Sequence, residues 1–463
     1  MGAAASAASA ESAAPDALAA PAAPAAPDPG ARSHSLLRHN PRFRRFFAGY
    51  AVSELGDRIT EVALPAIAVI TLKADASQVG LLGALVWLPS LAGVFLGAWV
   101  DRQRRKRRLM IAADLARAAI LLSLPFAALF GAVTMAQLYV VAGLCGLAEV
   151  VFHTAYPVFF TGLVSRADYV QANGRLAVAR SGAAMAGPPL AGLLLQAASA
   201  AFAVVADAAS FVVSALAVGR SPVAEPLPDA PEESVLRRSR EGMVYIARHR
   251  LLRSTLACAS TINFFTFFAF PQLLLFATSV LHLSVGAYGV AMGFGAVGAL
   301  LGAAFVPRLV RVVGVGPGLA AGAVLLPAPI ALAAVAHGPV WLCGVLLAGA
   351  EFLSGFGVML FDITINSLQA AVIADAVRSR VSGAYTTVNY GLRPLGALLG
   401  GVLAAHAGLR TTLLVAAGGG ATAACWLLMA PVLPIRSLER DLPPAPATAS
   451  VPATRSATRP GAE

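Results

Sequence analysis

The chain has 463 residues, of which 58% are hydrophobic and 12% charged, with mean hydropathy +0.75 and a net charge of +11. Ordinary soluble chains carry about 25% charged residues, so a soluble multidomain enzyme is excluded and an all-α integral membrane protein is expected. The sequence holds no GxxxxGK[ST] loop, so an ATP-driven pump would need a separate subunit.

The chain opens on an Ala/Pro tract with Glu11, Asp16 and Asp28 that lacks the basic and apolar regions of a signal peptide. Residues 1–45 are therefore expected to form a disordered cytoplasmic tail. Twelve apolar stretches of about 20 residues or more follow, each long enough to span a bilayer. They lie at 46–72, 77–100, 109–130, 135–164, 174–198, 200–219, 254–280, 285–306, 316–336, 339–373, 382–405 and 409–433.

The first span carries Glu54, Asp57, Arg58 and Glu61 at i, i+3, i+4 and i+7, which places all four on one helical face. Each charge in hydrocarbon costs roughly 2.5–3.5 kcal/mol, so this face must line a cavity or meet partners. Arg58 is within reach of Glu54 one turn back. Neighbouring carboxylates hold protons more tightly, which is what a proton carrier requires.

The second span stops at Asp101, and six of the seven residues from Arg102 to Arg108 are cationic. Such a segment stays on the cytoplasmic side. With both termini placed there, all of the 34 Lys and Arg fall on cytoplasmic segments except Lys73, Arg410 and the intramembrane Arg58, Arg117, Arg180 and Arg393. Cations strung over alternate short loops, without a binding motif, point to anionic lipid and not to nucleic acid.

Further ionisable residues fall inside spans. Asp114 and Arg117, three apart in the third span, are expected to pair with each other. Glu149, mid-way along the fourth span with no cation close in sequence, is the best single proton or cation site, and Glu351 is its counterpart in the tenth. Arg180, Asp207, Asp362 and Arg393 are expected in intramembrane ion pairs, with partners left open. Phe264, Phe265, Phe267, Phe268 and Phe270 point all ways round the seventh span, which favours packing over cargo stacking. Cys145, Cys258, Cys343 and Cys425 fall inside spans without paired spacing and read as packing residues. The seven histidines are scattered, His153 alone within a span, and no catalytic or metal-ligating constellation appears.

Residues 220–253 are Pro-rich, then basic and amphipathic, with Leu236, Met243 and Ile246 among arginines: a linker between six-span bundles at 46–219 and 254–433. Residues 434–463 form a second cytoplasmic tail. Internal similarity supports the division, since LGAWVDR at 96–102 returns as LGAAFVPR at 301–308 and LAEVVF at 147–152 answers GAEFLS at 349–354. Repeats of this kind commonly enclose a site exposed to each side in turn.

Gly97, Asp101, Arg102, Arg105, Lys106 and Leu109 match the loop signature of the major facilitator superfamily, which the chain resembles over 46–433; Arg104 and Trp99 depart from it. The resemblance implies a fold of twelve transmembrane helices in two pseudo-symmetric six-helix bundles. It also makes Gly97, Asp101, Arg102, Arg105 and Lys106 gating parts of the cytoplasmic face. In the fifth span Gly174, Gly187, Pro188 and Gly192 are similar to the pattern of drug:proton antiporters, with Ala183 and Ala191 where glycine is usual. That span, with ELGDRITEVALP in the first and ADAASF in the sixth, resembles the branch of the enterobactin exporter and macrolide efflux proteins.

These readings together predict a monomeric, multi-pass protein of the cell membrane that is not an enzyme and needs no cofactor. It would export small amphiphilic molecules, of drug, antibiotic or siderophore type, by alternating access. A proton gradient would drive it, each entering charge being worth about 2.3 kcal/mol per 100 mV. An uncoupled or lipid-moving facilitator, or a sensor that moves nothing, are the alternatives.

Overall fold

The computed structural model describes residues 36–223, 235–374 and 377–441, almost wholly as helix. The outer parts of both expected tails and the Pro-rich part of the linker lie outside these residues.

Helix α1 runs Pro41–Ala66 and passes through a π turn, Ile67–Thr71, just beyond Pro65. Residues 36–45, expected within the tail, are thus helical except at Asn40. Asn40 accepts from the Phe43 N–H at 2.9 Å, Pro41 sits at the first position, and Phe43 and Phe46 bury fully beside Phe159. Helix α2 comprises Ala76–Trp87, a 3₁₀ turn at Leu88–Ala92 containing Pro89, and Gly93–Arg102. Then come α3 (Lys106–Leu129), α4 (Met135–Leu163), α5 (Tyr169–Ala197) and α6 (Ala200–Gly219). An amphipathic linker helix, Val235–Arg248, leads to α7 (Arg250–Ser279), which bends at Pro271, and α8 (Val285–Val313). The chain ends with α9 (Val315–Ala334), α10 (Val340–Val372), α11 (Arg378–Ala407) and α12 (Leu409–Met429).

Of these twelve rods, eight are long and apolar enough to cross a membrane by length and composition: α3, α4, α6, α7, α8, α9, α10 and α12. The others have identifiable reasons for falling short. The seven charged residues of α1 dilute its hydropathy, the turn at Pro89 divides α2, and Gly, Pro, Asn and Arg residues dilute the hydropathy of the continuous helices α5 and α11.

Helix pairing repeats. In the first bundle α1 packs on α5 and α6, α3 on α4 and α6, and α2 on α4. Adding six to each number gives the pairs of the second bundle: α7 with α11 and α12, α9 with α10 and α12, and α8 with α10. The bundles meet along α2–α11 and α5–α8, two seams that the same operation interchanges.

Both seams are closed near one end only. A Cβ on Gly192 would lie 2.8 Å from Gly286 Cα, one on Gly80 2.6 Å from Gly401 Cα, and one on Gly293 2.9 Å from the Pro189 ring. Backbone approaches backbone here because side chains are missing, which is how small residues join membrane helices. Gln196 Nε2 donates to Ser284 Oγ at 2.9 Å and Gln272 Nε2 to the Ala76 carbonyl at 3.1 Å at the same end. Toward the end that carries residues 41 and 429, a Cβ on Gly97 would meet only Thr154 of its own bundle, and Cβ atoms on Gly174 and Gly383 would meet nothing within 4 Å. A cleft between the bundles therefore opens toward the end bearing the termini.

Candidate functional site

The densest cluster of charge sits inside the first bundle. Arg117 of α3, whose side chain is 9% exposed, donates to Asp57 Oδ1 of α1 and lies 3.9 Å from Glu149 Oε2 of α4. The two carboxylates are 36% and 43% exposed. One cation is thus buried behind two acids that remain half open. The Phe211 ring of α6 underlies the guanidinium, 3.9 Å from its centroid, and His153 Nε2 stands 3.9 Å from Glu149 Oε1, one turn along α4. A buried cation needs such partners, because desolvation costs several kcal/mol per ion and only close opposite charge offsets it.

This overturns two sequence expectations and adds a partner to a third residue. Asp114 does not pair with Arg117, which reaches across to other helices; Asp114 Oδ2 is buried without a hydrogen-bond partner. Arg58 pairs with Glu61 at 2.9 Å and not with Glu54. Glu149, without a cation nearby in sequence, has one in space. For Arg117 the reason is that proximity along one helix does not compete with partners that packing brings from others, whereas Arg58 takes the carboxylate three residues on along its own helix.

Gly56 lets α6 approach α1. A Cβ there would collide with Asp207 Oδ1 and Ser210 Oγ, and the Ser210 hydroxyl donates to that same Asp207 oxygen at 3.0 Å. Asp207 therefore lies buried against α1, but it forms no ion pair among the described residues, and neither do Glu54, Arg180, Glu351, Asp362 or Arg393. Arg393 instead sits among aromatic rings of both bundles: 4.3 Å from the Trp87 centroid, 4.6 Å from Phe267 and 3.7 Å from Tyr390, with its Nε donating to Asn263 Oδ1 at 2.9 Å. Expected ion pairing is replaced there by cation–π contact. Of the five phenylalanines of α7, Phe267 reaches this interface, while Phe264, Phe265 and Phe268 pack on one another edge-on or tilted. Cys258 and Cys343 are buried and all four thiols are free.

Among the described residues no three or more His, Cys, Asp or Glu side chains gather as a metal site. A cavity of about 600 Å³ lies along the linker helix, walled by Arg237, Arg240, Glu241, Tyr245 and Arg248.

Residues 46–397 match the family profile described as Major Facilitator Superfamily. The chain belongs to the major facilitator superfamily. Its members share the fold at low identity. The nucleoside transporter NupG superposes with TM-score 0.68 at 15% identity, covering 84% of this chain and 99% of that one. A bacterial homologue of the iron transporter ferroportin, solved in an inward-facing state, gives 0.66 at 16%, covering 85% and 99%. A bacterial homologue of the human lysosomal transporter Spinster, inward-facing and occupied, gives 0.62 at 15%, covering 83% and 95%. A comparison with curated proteins gave no match. The chain is accordingly a multi-pass membrane transporter, not an enzyme.

The major facilitator loop between α2 and α3 is a three-residue turn, 103–105. Gly97 faces Thr154, Arg102 and Arg105 are exposed, and the side chain of Asp101 lies outside the described residues. Lys106 is buried and donates through Nζ to the Val100 carbonyl, while Arg107 donates to the Val218 and Gly219 carbonyls. Part of the basic cluster therefore caps helix C-termini, where unpaired carbonyls and the helix dipole favour cations. In α5, Gly187 takes the Arg58 side chain of α1 against its bare Cα, Pro188 presents its carbonyl to Gly289, and Gly192 meets Gly286. Gly174 has no close neighbour. The fifth-span pattern thus serves two interfaces, one within the bundle and one between bundles.

Proposed function

We propose that this transporter exports small amphiphilic molecules, of drug, antibiotic or siderophore type, against a proton gradient by alternating access. The observation that carries the proposal is the Arg117 hub, in which Asp57 and Glu149 compete for a single buried cation beside a cleft. Two carboxylates around one guanidinium leave room for one proton: protonating Glu149 strengthens Arg117–Asp57, and losing it pulls Arg117 back toward α4. Helix positions and proton occupancy are then linked, which is the requirement for coupling. Glu54, Arg58 and Glu61 continue the charged face of α1 along the same wall, and Glu351 offers a second carboxylate in the equivalent helix of the other bundle. The glycine and proline pattern of α5, similar to that of drug:proton antiporters, supports outward transport, and the cation-rich loops support termini on the cytoplasmic side of the cell membrane. The protein is proposed to work as a monomer, with protons, cargo and surrounding lipid as its partners.

The test uses proteoliposomes holding the full chain, an imposed pH gradient and a panel of amphiphilic dyes and antibiotics. Cargo-driven proton release is expected, and its loss in Glu149→Gln. Cargo flux indifferent to the pH gradient would leave an uncoupled facilitator, and a cargo-dependent thermal shift without flux would leave a sensor.

A further inference from the structure

Arg393 differs from Arg117 and Arg58 in its surroundings. Arg117 has two carboxylates and Arg58 has Glu61, all within 4 Å. Arg393, in the second bundle, has no carboxylate within 4 Å among the described residues; Asp362 of α10 is the acid on its own side. Its guanidinium is held in place by Trp87, Phe267 and Tyr390 and by one hydrogen bond from Nε to Asn263. Three elements of two bundles are therefore arranged to fix the orientation of a cation, and none of them neutralises it.

Position sharpens this. Along α11, Gly401 meets Gly80 and Gly396 meets the Phe264 carbonyl, then Gly391 meets Leu91, and at Gly383 nothing lies within 4 Å. The Arg393 cage thus occupies the level at which the α2–α11 seam ends and the cleft begins. Tyr390 and Leu91 beside it are substantially exposed. A half-buried cation at the roof of a cleft, pre-oriented and with no carboxylate within 4 Å among the described residues, is complementary to an anion, and the fixed planar fork of arginine matches a carboxylate with two parallel donors. The surrounding rings offer stacking area to a flat ligand body.

We propose that Arg393, held in its aromatic cage, is the specificity-determining contact for the carboxylate of a planar aromatic cargo. The proposal rests on reading the cleft as the cargo path and names the cargo class that path selects. A carboxylate bound here would face the acid-rich wall of the first bundle, so a molecule that also carries an amine distant from its carboxylate would satisfy both walls.

The probe is 2-naphthoate, whose binding to the detergent-purified full chain is followed by equilibrium dialysis. Saturable binding at one site is expected, competed by benzoate and not by benzamide or benzylamine. Arg393→Gln is expected to weaken it by about tenfold or more, the order of a charge-assisted bidentate contact, with Arg393→Lys intermediate. Trp87→Leu should weaken it as well. Absence of saturable naphthoate binding, equal competition by benzamide, or wild-type affinity in Arg393→Gln would overturn the proposal. The competition series needs no variant, so it decides even if Arg393→Gln fails to fold. Proton-linked flux measured in parallel separates the two readings. Coupled flux with no Arg393-dependent carboxylate binding removes this inference alone, whereas such binding with no coupled flux of any cargo removes the antiport reading and leaves this site standing.

Discussion

The two bundles have the same helix pairing and opposite interiors. Within its spans the first holds Glu54, Asp57, Arg58, Glu61, Asp114, Arg117, Glu149, Arg180 and Asp207; the second holds Glu351, Asp362 and Arg393. In the second, glycine does the joining: Gly355 approaches the Gly295 carbonyl, Gly298 the Phe352 carbonyl, and Gly302 the Met359 side chain, all across α8–α10. A six-helix layout built almost without charge in one half shows that the layout does not need charge in the other. The acids and arginines of the first bundle are therefore an added feature that costs stability, and such additions are retained for what they do.

The largest effect should come from removing the one cation that several acids share. Arg117→Ala leaves Asp57 and Glu149 without their partner and should destabilise the detergent-purified protein by about 3–5 kcal/mol, whereas Arg393→Ala, losing mainly cation–π contact, should cost about 1–2 kcal/mol. Thermal unfolding of the two variants tests the contrast between bundles, which fails if the losses are equal. Adding Asp57→Asn to Arg117→Ala should recover part of the loss, because it removes a stranded charge.

Function should divide along the same line. Glu149→Gln is expected to lower proton-linked flux by more than about tenfold, corresponding to 1.4 kcal/mol of lost coupling, and Glu351→Gln by less. Equal effects in vesicle assays would mean that the bundles share the load.

Packing variants probe the helix contacts inside each bundle. Gly56→Ala drives a methyl into Asp207 and Ser210 and Gly355→Ala drives one into the Gly295 carbonyl, so each should cost about 1–3 kcal/mol by overpacking. The first should also disturb coupling; the second should lower only the unfolding temperature.

The smallest effect belongs to the loop before α2. The Ser77 hydroxyl and then the Gln78 N–H hydrogen-bond the Asp75 carboxylate and hold its pKa below the usual carboxylate range. A lowered folded-state pKa means that this stabilisation is present above the ordinary carboxylate range and fades as pH falls through the lowered value. Asp75→Ala should therefore cost about 1 kcal/mol at neutral pH, and the difference from wild type should shrink in strong acid.

Much of the fold was legible because hydrocarbon imposes long apolar runs. The tenth span, expected at 339–373, is helical over Val340–Val372, and the repeat detected around residues 96–102 and 301–308 falls on α2 and α8, helices that the pairing makes equivalent. The start of α1 was missed because Arg42, Arg44 and Arg45 mask the burial of Phe43 and Phe46 in a hydropathy reading. The acids of α1 and Glu149 were identifiable one by one, since charge inside an apolar run is conspicuous. Their arrangement was not, because Asp57, Arg117 and Glu149 are separated by 60 residues on one side and 32 on the other, a distance that only packing closes. The Arg393 cage was equally hidden: Tyr390 lies one turn away, but Trp87 arrives from the other bundle.

The closed end of the cleft is made of main chain pressed on main chain, at Gly80 with Gly401 and at Gly192 with Gly286. Swinging the Gln196 or Gln272 side chain aside would leave those backbone contacts in place. To unseal that mouth the helix clusters must tilt as whole bodies, shedding both seams together, so a pair of cysteines joined across either one would freeze the molecule with its other mouth permanently agape.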